Sequence, residues 1–224
     1  MSATREMHFF NPMDHRQIAS EEVGRIHQSF DRLAEDPWFC MKGSRRLRAM
    51  SKFSWHDTQW KQLEDTSFFQ SESINRYNGG VQRNFPPIDD SFVASSFLMD
   101  LAFDQAQLLG IAGGEWVINV HQIRVQTHCN PDAEGLSTPE GIHQDGHDFI
   151  GIVLWNRSNI VGGASRIYDE SKSLLKELSL KQRGDTLLLN DRVCFHAVTP
   201  FYPQSPEFAA TRDIFILDWN QRKP

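Results

Sequence analysis

His143 and Asp145 stand two residues apart in the segment Gly141-Ile-His-Gln-Asp-Gly146. In extended backbone, residues i and i+2 project to the same side, so this imidazole and carboxylate can reach one ion. Two histidines and one carboxylate on one face of an octahedron leave three coordination positions open, the arrangement of non-haem Fe(II) oxygenases. The second histidine must come from elsewhere. His196, 51 residues after Asp145, is the best candidate: it sits in Val-Cys-Phe-His-Ala-Val-Thr, an apolar strand in which a polar side chain needs a partner. Arg212 follows 16 residues later, at the head of Arg-Asp-Ile-Phe-Ile-Leu-Asp-Trp. A guanidinium grips a carboxylate through a two-pronged fork. A dicarboxylate co-substrate could therefore chelate a metal through a 2-oxo-acid end and meet Arg212 with the other. Taken singly these features are common, since most His-x-Asp pairs are surface loops and most strand-opening arginines are solvated or ion-paired. Their order, each near a strand and separated by glycine turns, carries the metal reading.

The remaining histidines compete less well. His121 and His128 flank Gln122-Ile123-Arg124 and read as hydrogen-bonded neighbours. His147 lies four residues past His143, a helical spacing, but the following Phe149 to Trp155 reads as strand. Cys194 shares a strand face with His196 and is expected to be a small buried core residue.

Two kinds of element must position these residues. The first half, 1–110, reads as a mainly helical flank; 111–224 reads as most of a β core within a single domain. Val23, Ile26, Phe30 and Leu33 mark one face of a helix running to about Glu35, with Pro37 beyond its end. Ser91 can cap a second helix carrying Val93, Phe97, Leu101 and Leu108, with Gly110 as its stop. Between them, residues 38–90 carry aromatic side chains but no clear period. From Glu115 the pattern changes to strands. Val117 to Val125 is β-branched, and Phe149 to Trp155 is apolar enough to be buried on both faces. Ala164 to Tyr168, Thr186 to Leu189, Val193 to Thr199 and Ile214 to Trp219 follow, with turns at Gly162-Gly163 and Gly184-Asp185. Short strands after helices point to a β-sandwich or barrel with a helical flank.

Composition narrows the class. The 224 residues carry a net charge of −6, a poor surface for phosphate backbones, so nucleic acid is not an expected partner. No run of basic residues suggests membrane attachment, and no apolar stretch is long enough to span a bilayer. Three cysteines, well separated, argue against a disulfide framework or zinc ribbon, and the amino-terminal residues lack a secretory apolar segment; a cytoplasmic location is expected.

The chain resembles the 2-oxoglutarate/Fe(II) dioxygenases of the L-isoleucine 4-hydroxylase group, which hydroxylate free amino acids. The resemblance rests on His121-Gln-Ile-Arg124, Gly141-Ile-His-Gln-Asp145, Asn156-Arg-Ser-Asn-Ile-Val-Gly-Gly163, Phe195-His-Ala-Val-Thr-Pro200 and Arg212-Asp-Ile. Weaker matches lie at Gly79-Gly-Val-Gln-Arg-Asn-Phe85 and around Arg46-Leu-Arg48. It implies a double-stranded β-helix, a cupin-like jelly roll with amino-terminal helices. It also implies Fe(II) held by His143, Asp145 and His196, and 2-oxoglutarate bound by Arg212. The Ser or Thr that relatives often carry two positions after this arginine is Ile214 here, and Phe201 to Thr211 reads as a loop insertion. The implied reaction hydroxylates an unactivated C–H bond of a free, aliphatic L-amino acid, consuming O2 and releasing succinate and CO2. The substrate carboxylate then needs an arginine, with Arg83 and Arg124 as candidates, though either could equally serve a structural ion pair. Phe149, Trp155 and Phe195 are available to an apolar substrate side chain. Two other classes fit the same motifs: a dioxygenase for a larger substrate (a carrier-bound aminoacyl group, a peptide or a lipid), and a non-catalytic cupin-like binding or sensing protein.

Overall fold

The computed structural model describes residues 7–57, 59–75, 78–130 and 132–222. Its strands are β1 (Met7–Phe10), β2 (Ala34–Glu35), β3 (Ser44–His56), β4 (Gln59–Leu63), β5 (Ser67–Phe68), β6 (Arg83–Asn84), β7 (Glu115–Thr127) and β8 (Phe149–Ser158). They continue with β9 (Ile160–Gly162), β10 (Ser165–Tyr168), β11 (Leu174–Leu178), β12 (Thr186–Asn190), β13 (Phe195–Val198), β14 (Phe201–Pro203) and β15 (Thr211–Gln221). The α-helices are α1 (Ser20–Asp31), α2 (Asp90–Val93) and α3 (Ser96–Leu109).

A large antiparallel sheet runs β1-β12-β8-β15-β7-β3-β2, with β4 on β3; smaller sheets β11-β10-β13 and β14-β9 complete the jelly roll. Period-2 alternation along the central strands sorts side chains between two environments. On one face Phe53, Trp55, Ile118, Val120, Val153, Trp155, Phe215 and Trp219 pack under Ile26, Phe30, Phe92, Phe97 and Leu101 of the helices. Phe215 is the centre of this layer: Phe92 stacks on it at 4.5 Å and Phe30 approaches at 5.0 Å. The other face turns Arg46, Arg48, His121, Ile123, Val125, Arg212, Ile214, Ile216 and Asp218 towards a cavity between the sheets. Register aligns them: Arg48 pairs with Ile123, which pairs with Ile214, while Arg212 pairs with Val125.

The strands expected from Val117 onwards are present, and Phe149 to Trp155 is buried on both faces, Ile150 and Ile152 on one and Val153 and Trp155 on the other. The mainly helical first half is corrected. It holds the thirteen-residue strand β3, paired along its full length with β7. Its cavity face is Arg46, Arg48 and Met50, so charge occupies positions where alternation would look for apolar residues, and no period emerged. The first helix stops at Asp31 rather than near Glu35, because Ala34 and Glu35 pair with Arg48 and Leu47. The second helix is two pieces, with Asp89 rather than Ser91 accepting the capping bond in α2; Gly110 ends α3 in the left-handed region at φ 68°. Phe201 to Thr211 is not wholly a loop insertion, since β14 pairs with β9 and Phe201 is fully buried.

Candidate active site

His196 lies mid-strand in β13, between β10 on one side and His143 on the other. Backbone bonds in both directions, His143 N to His196 O at 3.0 Å and His196 N to His143 O at 2.8 Å, clamp the two histidines together. Their rings lie 4.3 Å apart. His143 Nδ1 donates to the Gly141 carbonyl at 2.8 Å, which leaves Nε2 as the lone-pair donor. Asp145 then brings Oδ1 to 3.7 Å from His143 Nε2 and Oδ2 to 3.5 Å from His196 Nε2. One donor atom from each of the three residues lies within 4.8 Å of the others.

The Asp145 loop is held from behind. Buried Asp191 accepts backbone N–H bonds from Asp145 at 3.1 Å, Gly146 at 2.7 Å and His147 at 2.9 Å. Gln70 donates to the Asp145 carbonyl at 2.9 Å. Electrostatics keep His196 and Asp145 in metal-competent forms; at His143 burial opposes the charge, but Asp145 and Glu140 outweigh it and raise that imidazole. Burial and the neighbouring His143 push the His196 imidazole down to about 4, so it is neutral at pH 7. Burial alone would raise Asp145, but the adjacent His196 and His143 imidazoles outweigh it and hold the carboxyl below its usual range.

Arg212 opens on the same cavity. It is fully buried, and among the described residues its Nη2 has no hydrogen-bond partner and Nη1 reaches only Ser137 Oγ at 3.4 Å. Burial and the Arg157 charge push its guanidinium down to about 10. A buried cation without a counter-charge is costly and calls for an anion. The 2OG-Fe dioxygenase family matches residues 27–218, nearly the whole of this arrangement.

The chain belongs to the 2OG-Fe dioxygenase family.

Members work with Fe(II) and 2-oxoglutarate, and this dioxygenase has a donor set that fits both. Three N/O donors on one side suit ferrous iron, and the orphaned fork of Arg212 suits a carboxylate. The chain is 27% identical over 190 residues to an L-isoleucine-4-hydroxylase of Bacillus thuringiensis, covering 81% of this chain and 77% of that protein. It is 24% identical to a 3(1)-hydroxy-L-isoleucine 4-dioxygenase of Pantoea ananatis, covering 99% and 88%. The fold of IDO from Bacillus thuringiensis superposes with a TM-score of 0.78 at 18% identity, over 98% of this chain and 96% of that one.

Of the two arginines expected for a substrate carboxylate, the dioxygenase turns only Arg83 into the cavity. Arg83 is buried, donates to Gln70 Oε1 at 2.6 Å and lies 4.8 Å over the Phe68 ring. Arg124 is an even-numbered neighbour of cavity residues Ile123 and Val125, so it points to the helical side. There it pairs with Asp213 at 2.7 Å and with Asp31 of α1 at 2.8 Å: it is a structural ion-pair residue. Phe149, Trp155 and Phe195 also stay outside the cavity; the first two pack beneath the helices. Cys194 is fully buried in the core.

Three cavity residues escaped sequence reasoning: Arg48, Asp218 and Glu140. Arg48, unlike Arg124, turns into the cavity alongside Arg46 and Arg83, its guanidinium 4.3 Å over Phe85 and 5.2 Å over Phe68. Its Nη2 donates to His121 Nδ1 at 2.9 Å, and His121 Nε2 donates in turn to Asp218 at 2.8 Å. Burial and the Arg48 charge push His121 down to about 4. His147 reaches the same carboxylate at 3.2 Å; burial opposes its charge, but Asp218 outweighs burial and raises it to about 10. Glu140 is the third group, three residues before His143 on a turn closed by Gly141 N to Thr138 O. Period-2 spacing along Arg46-Leu-Arg48 was the available signal for Arg48. Nothing in the sequence marked Glu140.

Proposed function

We propose that this dioxygenase hydroxylates an unactivated C–H bond of a free, aliphatic L-amino acid, with His143, Asp145 and His196 as iron ligands and Arg212 gripping the far carboxylate of 2-oxoglutarate. One observation carries the reading: the three donors and an unpaired, buried guanidinium share one cavity. Bound iron and 2-oxoglutarate supply the oxidation, in which O2 is consumed, 2-oxoglutarate becomes succinate and CO2, and one oxygen atom goes to the substrate. The chain's own residues orient and exclude water. Ile123, Val125, Ile152, Val198 and Ile214 wall the side nearest Arg212, where a dry lining strengthens the carboxylate contact. Ile214 leaves no hydroxyl two positions after the arginine, and Ser137 supplies one from a different loop. Arg83 offers the substrate carboxylate a buried cation beside the metal ligands. Fixing the head group there selects which carbon faces the metal, since positioning decides the bond attacked. The amino-acid class is supported by the substrates named for the two relatives.

The test is an anaerobic reconstitution with Fe(II) and 2-oxoglutarate, exposed to O2 with each free L-amino acid in turn. At least one aliphatic amino acid should gain one oxygen atom by mass spectrometry, with matching succinate. Failure of every amino acid to gain oxygen or to stimulate succinate formation would overturn the reading.

A further inference from the structure

Two guanidiniums in this cavity, besides Arg212, have no ion-paired carboxylate among the described residues. Arg48 and Arg83 lean on the same ring, Phe68, and burial together with the Arg46 and Arg83 charges lowers the tendency of Arg48 to hold its own. Both are buried, and the Nε of each has no hydrogen-bond partner among the described residues. Their nearest fixed contacts are neutral groups, the His121 imidazole and the Gln70 amide. Arg48 stands on β3, two strands across from Arg212 on β15, or about 10 Å at ordinary strand spacing. One carboxylate already bound by Arg212 therefore does not also neutralise this pair.

Glu140 is the complementary feature. Its side chain is 15% exposed, borders the cavity, and lies close enough to Arg83 for its charge to be felt there. Its single ion-pair neighbour among the described residues is His143 Nε2 at 3.4 Å. That nitrogen cannot keep a proton and also give its lone pair to a metal. Once His143 ligates, Glu140 faces the cavity with no ion-pair contact among the described residues. Glu140 is also absent from the three-residue donor cluster.

We propose that Arg48 and Arg83 together bind the substrate α-carboxylate and that Glu140 accepts its α-ammonium, so that the site reads the whole zwitterionic head group. This rests on the amino-acid reading above and sharpens it. A thioester-bound aminoacyl group, an amide or an N-acylated amino acid satisfies only one of the two charged ends. Burying the other end opposite an unpaired charge is the penalty that rejects it. Glu140 and Arg48 are specificity-determining residues here.

Binding to the anaerobic Fe(II)–2-oxoglutarate holoenzyme, followed by calorimetry, tests this with four probes: L-isoleucine, L-isoleucinamide, N-acetyl-L-isoleucine and 2-hydroxy-3-methylpentanoate. The wild-type protein should prefer L-isoleucine over each of the others by about tenfold or more, the worth of one charged hydrogen bond. Glu140→Gln should lose about tenfold for L-isoleucine and keep its affinity for the hydroxy acid within about twofold. Arg48→Gln should weaken the three probes that carry a carboxylate and spare the amide. Metal binding and melting temperature of Glu140→Gln should match the wild type. The proposal is overturned if Glu140→Gln still prefers the amino acid to the hydroxy acid. Loss of Fe(II) affinity in that variant would also overturn it, by making Glu140 a metal ligand. Wild-type protein that binds the amide or acetyl compound as well as L-isoleucine refutes head-group reading alone. Binding of none of the four, with no amino acid turned over in the screen above, refutes the amino-acid reading and this inference with it.

Discussion

Replacing Arg212 with methionine should move function and stability in opposite directions. The guanidinium is fully buried, among the described residues no acid pairs with it and Nη2 is unpartnered, and burial with Arg157 already pushes it down to about 10. In the ligand-free protein it is therefore a cost, and an apolar side chain of similar length should leave stability unchanged or raise it by about 1 kcal/mol. With 2-oxoglutarate bound the balance reverses. The variant forfeits two charge-assisted hydrogen bonds and strands a carboxylate in a buried site, about 3–5 kcal/mol, or roughly a hundredfold to a few thousandfold in Kd. Anaerobic thermal melts with Fe(II) measure both quantities. At 2-oxoglutarate a hundred times its Kd, the wild-type protein should gain about 2.7 kcal/mol, and the variant at the same concentration close to nothing. A variant that melts several kcal/mol lower without ligand, yet keeps its 2-oxoglutarate affinity, would make Arg212 a structural residue and remove it from the site.

His143→Ala and Asp145→Ala should each abolish 2-oxoglutarate turnover while the metal-free melting temperature changes little; full succinate production by either with Fe(II) present would count against the ligand assignment. The His147–Asp218 pair should make metal-free stability depend on pH. His147 is raised to about 10, so its contribution is complete below the unfolded value of about 6.5 and is lost as pH rises towards 10. His147→Asn should flatten the melting temperature between those limits, and a pH profile as steep as the wild type would assign the slope elsewhere. Gly135→Ala should destabilise by about 1–3 kcal/mol, because a Cβ there would lie 2.2 Å from the buried Phe201 ring; the loop carrying Ser137 should loosen with it, read as a weaker 2-oxoglutarate Kd.

Sequence spacing was enough to nominate His143, Asp145, His196 and Arg212, because ligand chemistry restricts residue type and each sits beside strands with a plain apolar pattern. Most strands after residue 115 were legible because their apolar pattern is local, whereas the short strands β9, β11 and β14 were not named. The strand at residues 44–56 was not, since its cavity face is arginine and its identity comes from pairing with residues 115–127, far away in the chain. Arg83 and Arg124 looked equivalent in one dimension. Parity along β7 separates them, placing Arg124 against Asp213 and Asp31 on the helical side. Glu140 could not be singled out because its meaning is relational: a carboxylate acquires a role only where burial strips it of solvent, His143 stands beside it and two unneutralised guanidiniums face the same space. The chain's local order thus determined which side chains could bind a metal and an acid, and the closing of two sheets determined which charges are left unpaired inside, because pairing and desolvation are properties of neighbours in space.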